Sequence, residues 1–156
     1  MRHAKSSWKD DQLNDHQRPL KKRGIKDAKN MGKYLKSKDH VPGRIVCSTA
    51  ERAVQTADVL SKACKYSKEI FYMDKLYMAE TGDFFEIIKD LPDDIHSVML
   101  IGHNPGMEAF LQILTRKVES LPTASIAYLK IPVKSWSELN DDLECEIKKL
   151  WRPKDL

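Results

Sequence analysis

The stretch Ser97–Ile101 carries an unbroken apolar run and ends at Gly102-His103-Asn104-Pro105-Gly106. Apolar residues without polar alternation are the pattern of a strand covered on both faces, as in a parallel sheet. The glycine and proline positions stop it. Arg44–Cys47 is β-branched at its centre and bounded by Pro42-Gly43 and Ser48-Thr49, which predicts a second short strand. Glu69–Tyr72 predicts a third. Between them the period changes: Ala50, Ala53, Val54, Ala57, Leu60 and Cys64 recur at helical spacing, with Ser48 or Thr49 available as N-cap. Ile25, Ala28, Met31, Gly32 and Leu35 predict a helix over about 20–37, with Pro19 as an early residue. Phe84, Phe85, Ile87, Ile88 and Leu91 predict another, closed by Pro92. Phe110, Leu111, Ile113 and Leu114 predict a helix restarting after the glycine-proline segment, with Pro122 beyond its end.

Ser125–Ile131 and Glu144–Leu150 predict two further strands, the second with charge on alternate residues, paired across the polar turn near Ser135–Asp142. Strands alternating with helices and closed by a hairpin predict an α/β layered fold with a mainly parallel sheet. A length of 156 residues fits one domain that buries roughly two-thirds of its unfolded surface. No repeat or linker divides it. The composition, 41% hydrophobic and 32% charged, is that of a soluble globular protein, and no window approaches a membrane span. The net charge of +4 is mild, and its densest run, Lys21-Lys22-Arg23, reads as the solvated face of a helix. Neither nucleic acid nor membrane is therefore an expected partner. Cys47, Cys64 and Cys145 are odd in number and widely spaced, which suggests neither a disulfide framework nor a zinc site. With reduced thiols and no leader-like N-terminus, a cytoplasmic setting is expected.

Three segments combine reactive side chains with the places where a strand gives way to a loop or helix. They are Arg2–Ser6, Ser48–Thr56 and Gly102–Gly106. In an open parallel sheet the carboxyl ends of the strands converge on one edge, so these segments are expected to meet. Arg2, His3, Arg52 and His103 in one pocket would bind phosphate. A guanidinium presents a planar fork of donors to phosphate oxygens, and helices starting after Ser48 and Gly102 would add backbone N–H groups. His16, His40 and His96 lie in polar stretches and read as solvated, although His16 is near a site-forming segment. Trp8 is a candidate for the pocket rim, whereas Trp136 and Trp151 read as packing or surface. Dinucleotide and P-loop glycine motifs are absent.

The blocks R-H-A-K-S-S-W, D-H-Q-R-P-L with Arg23-Gly24 and Ala28, S-T-A-E-R-A-V-Q-T-A, and G-H-N-P-G occur in this order over residues 2–125. Together they resemble the histidine phosphatase superfamily, and within it the small phosphohistidine phosphatases of the SixA type. The resemblance implies a three-layer α/β/α sandwich of the phosphoglycerate mutase-like fold and a phosphoryl transfer through a covalent intermediate on His3. Arg2, Arg52 and His103 would bind the phosphoryl group. Arg18 and Ser6 would sit at the pocket edge, and Thr123 and Ser125 nearby. The substrate would be a phosphohistidine protein or a small phosphorylated molecule, with no cofactor and no metal. Flanking guanidinium groups are expected to lower the pKa of His3 and keep it neutral. Glu80 is the candidate acid for ester leaving groups. Because a phosphoramidate nitrogen can be protonated beforehand, phosphohistidine is the favoured substrate.

In that family the R-H motif follows a central apolar strand, whereas here Met1 is followed at once by Arg2 and His3. The expectation is that the natural product begins upstream, and that residues 1–156 form a single histidine phosphatase domain without its first strand. The rival of another class is a non-catalytic phospho-binding module using the same cationic pocket. A phosphatase of small phosphate esters is the nearer alternative. The short chain disfavours a phosphoglycerate mutase-like transferase, and the lack of H-x-x-x-H spacing disfavours a metal-dependent hydrolase.

Overall fold

The computed structural model describes every residue from Met1 to Leu156. At its centre β1 (Arg44–Ser48) lies between β2 (Ile70–Met73) and β3 (Val98–Ile101) in a parallel sheet. The register places Ile45 between Ile70 and Met99, and Cys47 between Tyr72 and Ile101. Successive side chains of a strand point to opposite faces, and the core divides accordingly. Ile45, Cys47, Met99 and Ile101 face one layer with α1 (Lys22–Ser37) and α2 (Glu51–Cys64). Val46 and Leu100 face the other, with α3 (Thr81–Lys89) and α4 (Gly106–Thr115). The chain is thus a three-layer α/β/α sandwich.

The first helix starts later than the hydrophobic pattern predicts, and Pro19 lies outside it. Lys21 is the N-cap, and the Pro19 carbonyl accepts the Ser7 N–H at 2.8 Å. Ile25 is 44% exposed, and Gly24 takes the inward place instead. The reason is steric: a Cβ on Gly24 would lie 2.2 Å from the Lys5 carbonyl oxygen, so only glycine lets the segment after His3 run against the helix. Neither Ser48 nor Thr49 caps α2. Ala50 is its N-cap, whose methyl side chain makes no bond; the Ser48 hydroxyl lies against His103 and the Thr49 hydroxyl donates to Asp74.

β4 (Ile126–Lys130) and β5 (Glu146–Trp151) pair antiparallel, with an irregularity at Tyr128/Leu129. Their connection is less polar than its sequence suggests, for Leu139 within it is fully buried.

Residues 1–4 lie extended between β3 and the approach to β4. The Gly102 N–H donates to the Met1 carbonyl at 3.2 Å, and the His3 N–H donates to the Gly102 carbonyl at 3.0 Å. On the other side the Arg2 N–H donates to the Ser125 carbonyl at 3.1 Å, and the Ala124 N–H to the His3 carbonyl at 3.0 Å. His3 is therefore held by main-chain bonds to both neighbours at the carboxyl edge of the sheet.

Candidate active site

The backbone that fixes His3 is also tied to α2. The Ala4 N–H donates to Thr56 Oγ1 at 2.9 Å, and the Thr56 hydroxyl donates to the Arg52 carbonyl at 2.6 Å. The imidazole of His3 is 7% exposed, with Nδ1 2.7 Å from the Ala4 carbonyl oxygen. A carbonyl only accepts, so Nδ1 carries the hydrogen and Nε2 keeps a free lone pair. The ring of His103 lies 5.0 Å away, centroid to centroid. Its Nε2 is 2.7 Å from Ser48 Oγ, which also accepts the Ala50 N–H at 3.2 Å.

Burial is the largest cause holding His3 down at about 4. Arg52, Arg2 and Arg18 add to it, while the bond to Ala4 opposes it. His103 is held at about 3, again first by burial, then by His3 and Arg52. The guanidinium groups thus act in the direction expected from sequence, but removal from water acts more strongly.

Arg52, in the first turn of α2, is 6% exposed. It donates to the Asp15 carbonyl at 2.7 Å and to Asp15 Oδ2 at 3.1 Å. Arg18 reaches the other oxygen of the same carboxylate, Oδ1, through Nε at 3.1 Å, and donates to Ser6 Oγ at 2.9 Å. The Tyr77 hydroxyl donates to Asp15 Oδ2 at 2.6 Å. That bond first, with help from Arg52 and Arg18, holds the Asp15 carboxyl at about 2. The guanidinium of Arg18 also lies 3.4 Å from the centroid of the Trp8 indole, a side chain left 72% exposed at the rim.

The structure places His3 beside His103, and Arg52, Arg18 and Ser6 in one bonded group around Asp15 close enough to act on His3. Arg2 adjoins them, with one terminal nitrogen donating to the Leu121 carbonyl at 2.9 Å. Three buried nitrogens of this group have no partner: Arg2 Nε, Arg52 Nε and His103 Nδ1. A buried polar atom left unpaired costs about 1–3 kcal/mol, and three together point to a ligand rich in acceptor oxygens. Ser125 is fully buried beside Arg2. Glu80 stands apart: it is the exposed N-cap residue of α3, its N–H bonded to Asp83 Oδ2 at 2.8 Å. His16 is not simply solvated, since Nε2 lies 3.0 Å from Thr49 Oγ1 and its ring meets Tyr77 edge-on.

Sequence reasoning assigned no role in the site to Asp15, Tyr77 or Thr56, and gave Ser48 only that of a helix cap. Asp15 precedes His16-Gln17-Arg18-Pro19, so its nearness to Arg18 was a usable signal. Nothing in the local pattern marks Tyr77.

Comparison with known proteins bears on the whole chain. The family model "Histidine phosphatase superfamily (branch 1)" matches residues 1–116. An uncharacterised protein of Mycobacterium tuberculosis is 32% identical over 142 residues, covering 84% of this chain and 87% of that protein. An uncharacterised chloroplastic protein of Arabidopsis thaliana is 33% identical over 147 residues, covering 88% of this chain and 67% of its own length. Among solved structures, the proposed phosphohistidine phosphatase SixA of Agrobacterium tumefaciens superposes with a TM-score of 0.84 at 26% identity, covering 98% of this chain and 95% of that one. The protein histidine phosphatase SixA complexed with tungstate shares the fold, with a TM-score of 0.84 at 19% identity over 99% and 96% of the two chains. By its matched residues, its relatives and its architecture, the chain belongs to the histidine phosphatase superfamily, branch 1.

Proposed function

We propose that the protein is a phosphatase that removes the phosphoryl group of phosphohistidine, through a covalent intermediate on His3. The observation that carries this reading is the set of unpaired buried nitrogens on Arg2, Arg52 and His103 beside an imidazole whose Nε2 lone pair is free. Nitrogen donors of this kind suit the oxygens of a phosphoryl group.

In the first step His3 Nε2 attacks phosphorus in line. The new P–N bond forms as the substrate's P–N bond breaks; the departing ring nitrogen takes the bonding pair as its lone pair, and the ring leaves as a neutral imidazole because its other nitrogen carries the proton. Charge on the equatorial oxygens is met by Arg52, Arg18 and Arg2, and by Nδ1–H of His103 when the Ser48 hydroxyl donates to Nε2. Donors already in place stabilise that charge without reorganisation. Water then attacks the phosphorylated His3, releasing phosphate and returning the free imidazole.

The environment of the carboxylates favours this substrate over esters. An alkoxide leaving group needs a proton donor. Asp15, the carboxyl at the pocket, is held ionised by Tyr77, Arg52 and Arg18, and Glu80 is the exposed N-cap residue of α3 with no bond to a pocket side chain. A phosphoramidate needs no such donor.

Incubation with a radiolabelled phosphohistidine peptide tests the reading. The expected outcome is an acid-labile, alkali-stable label on His3, release of phosphate insensitive to chelators, and turnover about a hundredfold above that of simple phosphomonoesters, two powers of ten in rate. Stoichiometric binding without release would assign a phospho-binding module instead, and faster ester turnover would overturn the substrate class. A cytoplasmic location belongs to the same reading; no helix is long and apolar enough to cross a membrane.

The low pKa of His3 carries a further expectation. kcat/KM reports the free enzyme, so the acid limb set by His3 should fall near pH 4 rather than 6.5. Stability follows the same groups. Because the folded values of His3 and His103 lie below 6.5, the unfolded chain binds more protons in that window. Their contribution to stability is full above about pH 6.5 and is lost as pH falls through 4 toward 3. Thermal melts and initial rates across pH 4–8 check both.

A further inference from the structure

Helix α4 has Pro105 as its N-cap and carries Glu108 as its third residue. A glutamate in that place ordinarily turns back to accept the N-cap N–H. Proline has no N–H to give, and the side chain of Glu108 bonds elsewhere. Its Oε1 accepts the Leu121 N–H at 2.7 Å and a hydrogen of Asn104 Nδ2 at 2.8 Å. Leu121 is buried in the stretch between α4 and β4, where neither helix nor strand fixes the chain.

The Leu121 carbonyl completes the junction. It accepts from Asn104 Nδ2 at 3.1 Å and from Arg2 Nη1 at 2.9 Å. A carboxylate and a carbonyl only accept, so one orientation of the Asn104 amide serves both. The amide keeps that orientation although its Oδ1 is left buried and unpaired. With one terminal nitrogen of Arg2 tied to Leu121, its buried and unpaired Nε is left for the oxygens of a ligand. Burial lowers the pKa of Arg2, and the charge of Glu108 opposes that.

We propose that Glu108 is a positioning residue of the active site: by fixing Leu121 and Asn104 it aims the Arg2 guanidinium at the phosphoryl group. The inference rests on the reading of Arg2 as a phosphoryl ligand. Glu108 acts by where its Oε1 stands. Its charge is not what the site uses, since a negative group near the pocket repels an incoming anion. Asn104 directly follows His103, so the same carboxylate supports the chain beside a second ligand of that anion.

Two conservative substitutions separate position from charge. Glu108→Gln keeps an acceptor oxygen at the same reach and removes the charge. Glu108→Asp keeps the charge and withdraws the oxygens by one carbon–carbon bond, about 1.5 Å. With a phosphohistidine peptide as substrate, Glu108→Asp is expected to lower kcat/KM about tenfold and Glu108→Gln by less than about threefold, both within the ~10^2-fold that a misplacement of about 1 Å costs. In an Arg2→Ala background Glu108→Asp should cost less than about twofold, because its effect passes through the guanidinium that is gone, whereas beside Arg52→Ala it should still cost about tenfold. Melting curves of every variant keep the assays below unfolding. Wild-type kcat/KM in Glu108→Asp would overturn the proposal. A loss in Glu108→Gln as large as in Glu108→Asp would do the same and assign Glu108 an electrostatic role. Arg2→Ala alone tests the underlying reading: unchanged turnover would remove Arg2 from the phosphoryl site, and this proposal with it. A loss in Arg2→Ala to which the Glu108→Asp loss adds undiminished would make Glu108 a staple of the α4–β4 connection only, and would leave the phosphatase reading standing.

Discussion

Replacing His3 by alanine is expected to lower kcat for phosphate release by at least ~10^4-fold, the scale of loss when a nucleophile is removed. No other side chain contacting the pocket can replace it. The imidazole of His103 is engaged through Nε2 by Ser48, and Asp15 is clamped between two guanidinium groups and a phenol. Position 3 is held by its main chain, through Gly102 and Ala124, so the alanine variant keeps the bonds that orient the segment. Arg52, Arg18 and His103 also stay in place. Affinity for inorganic phosphate or vanadate should therefore change by less than about tenfold, or 1.4 kcal/mol, while label transfer disappears. A variant that lost anion binding and turnover together would show that His3 serves as a ligand rather than as the attacking group. Retention of turnover would end the covalent mechanism.

The parts of this molecule that were legible in its sequence are those written as runs. Val98–Ile101 is apolar without alternation because both of its faces are covered, and the helices show their inward faces at a period near 3.6. Legibility stopped where position depends on contact rather than period. Gly24 displaces Ile25 from the inner face because a neighbouring carbonyl leaves no room for a side chain. Ser48 looked like a helix cap, yet its hydroxyl is turned to His103 across 55 residues of sequence.

The site divides the same way. His3, Arg52 and His103 each stand where a strand or helix begins or ends, so topology alone predicts their meeting. Asp15 and Tyr77 meet over a separation of 62 residues, from or just beyond two short 3-10 turns, Asp15–Gln17 and Asp74–Leu76. Such turns have no periodic signature, and the two arginines, expected from sequence to meet a phosphoryl group, gave no sign that a carboxylate would link them.

That link shapes the second large effect, expected for Arg52→Ala. Removing one preorganised donor to a developing oxyanion costs about 10^2–10^3-fold in kcat, and Arg52 contributes a formal charge besides its donors. A loss near 10^3-fold in kcat/KM is expected, and lysine should restore little of it because an ammonium does not reproduce the planar fork. Part of the loss has a separate origin. Arg52 neutralises Asp15, and without it a carboxylate held ionised by Tyr77 and Arg18 faces the incoming phosphate. Combining Arg52→Ala with Asp15→Asn should then recover about tenfold in kcat/KM, chiefly through KM. Asp15→Asn alone should lower kcat by loosening Arg52. If the two substitutions instead multiply independently, with no recovery in the double variant, Asp15 does not act through Arg52. The coupling is then absent, since residues sharing a bond depart from additivity when the bond matters. Melting curves on all three variants separate this from unfolding: Asp15 is partly exposed, and its amide keeps the size of the acid, so Asp15→Asn should leave the fold intact.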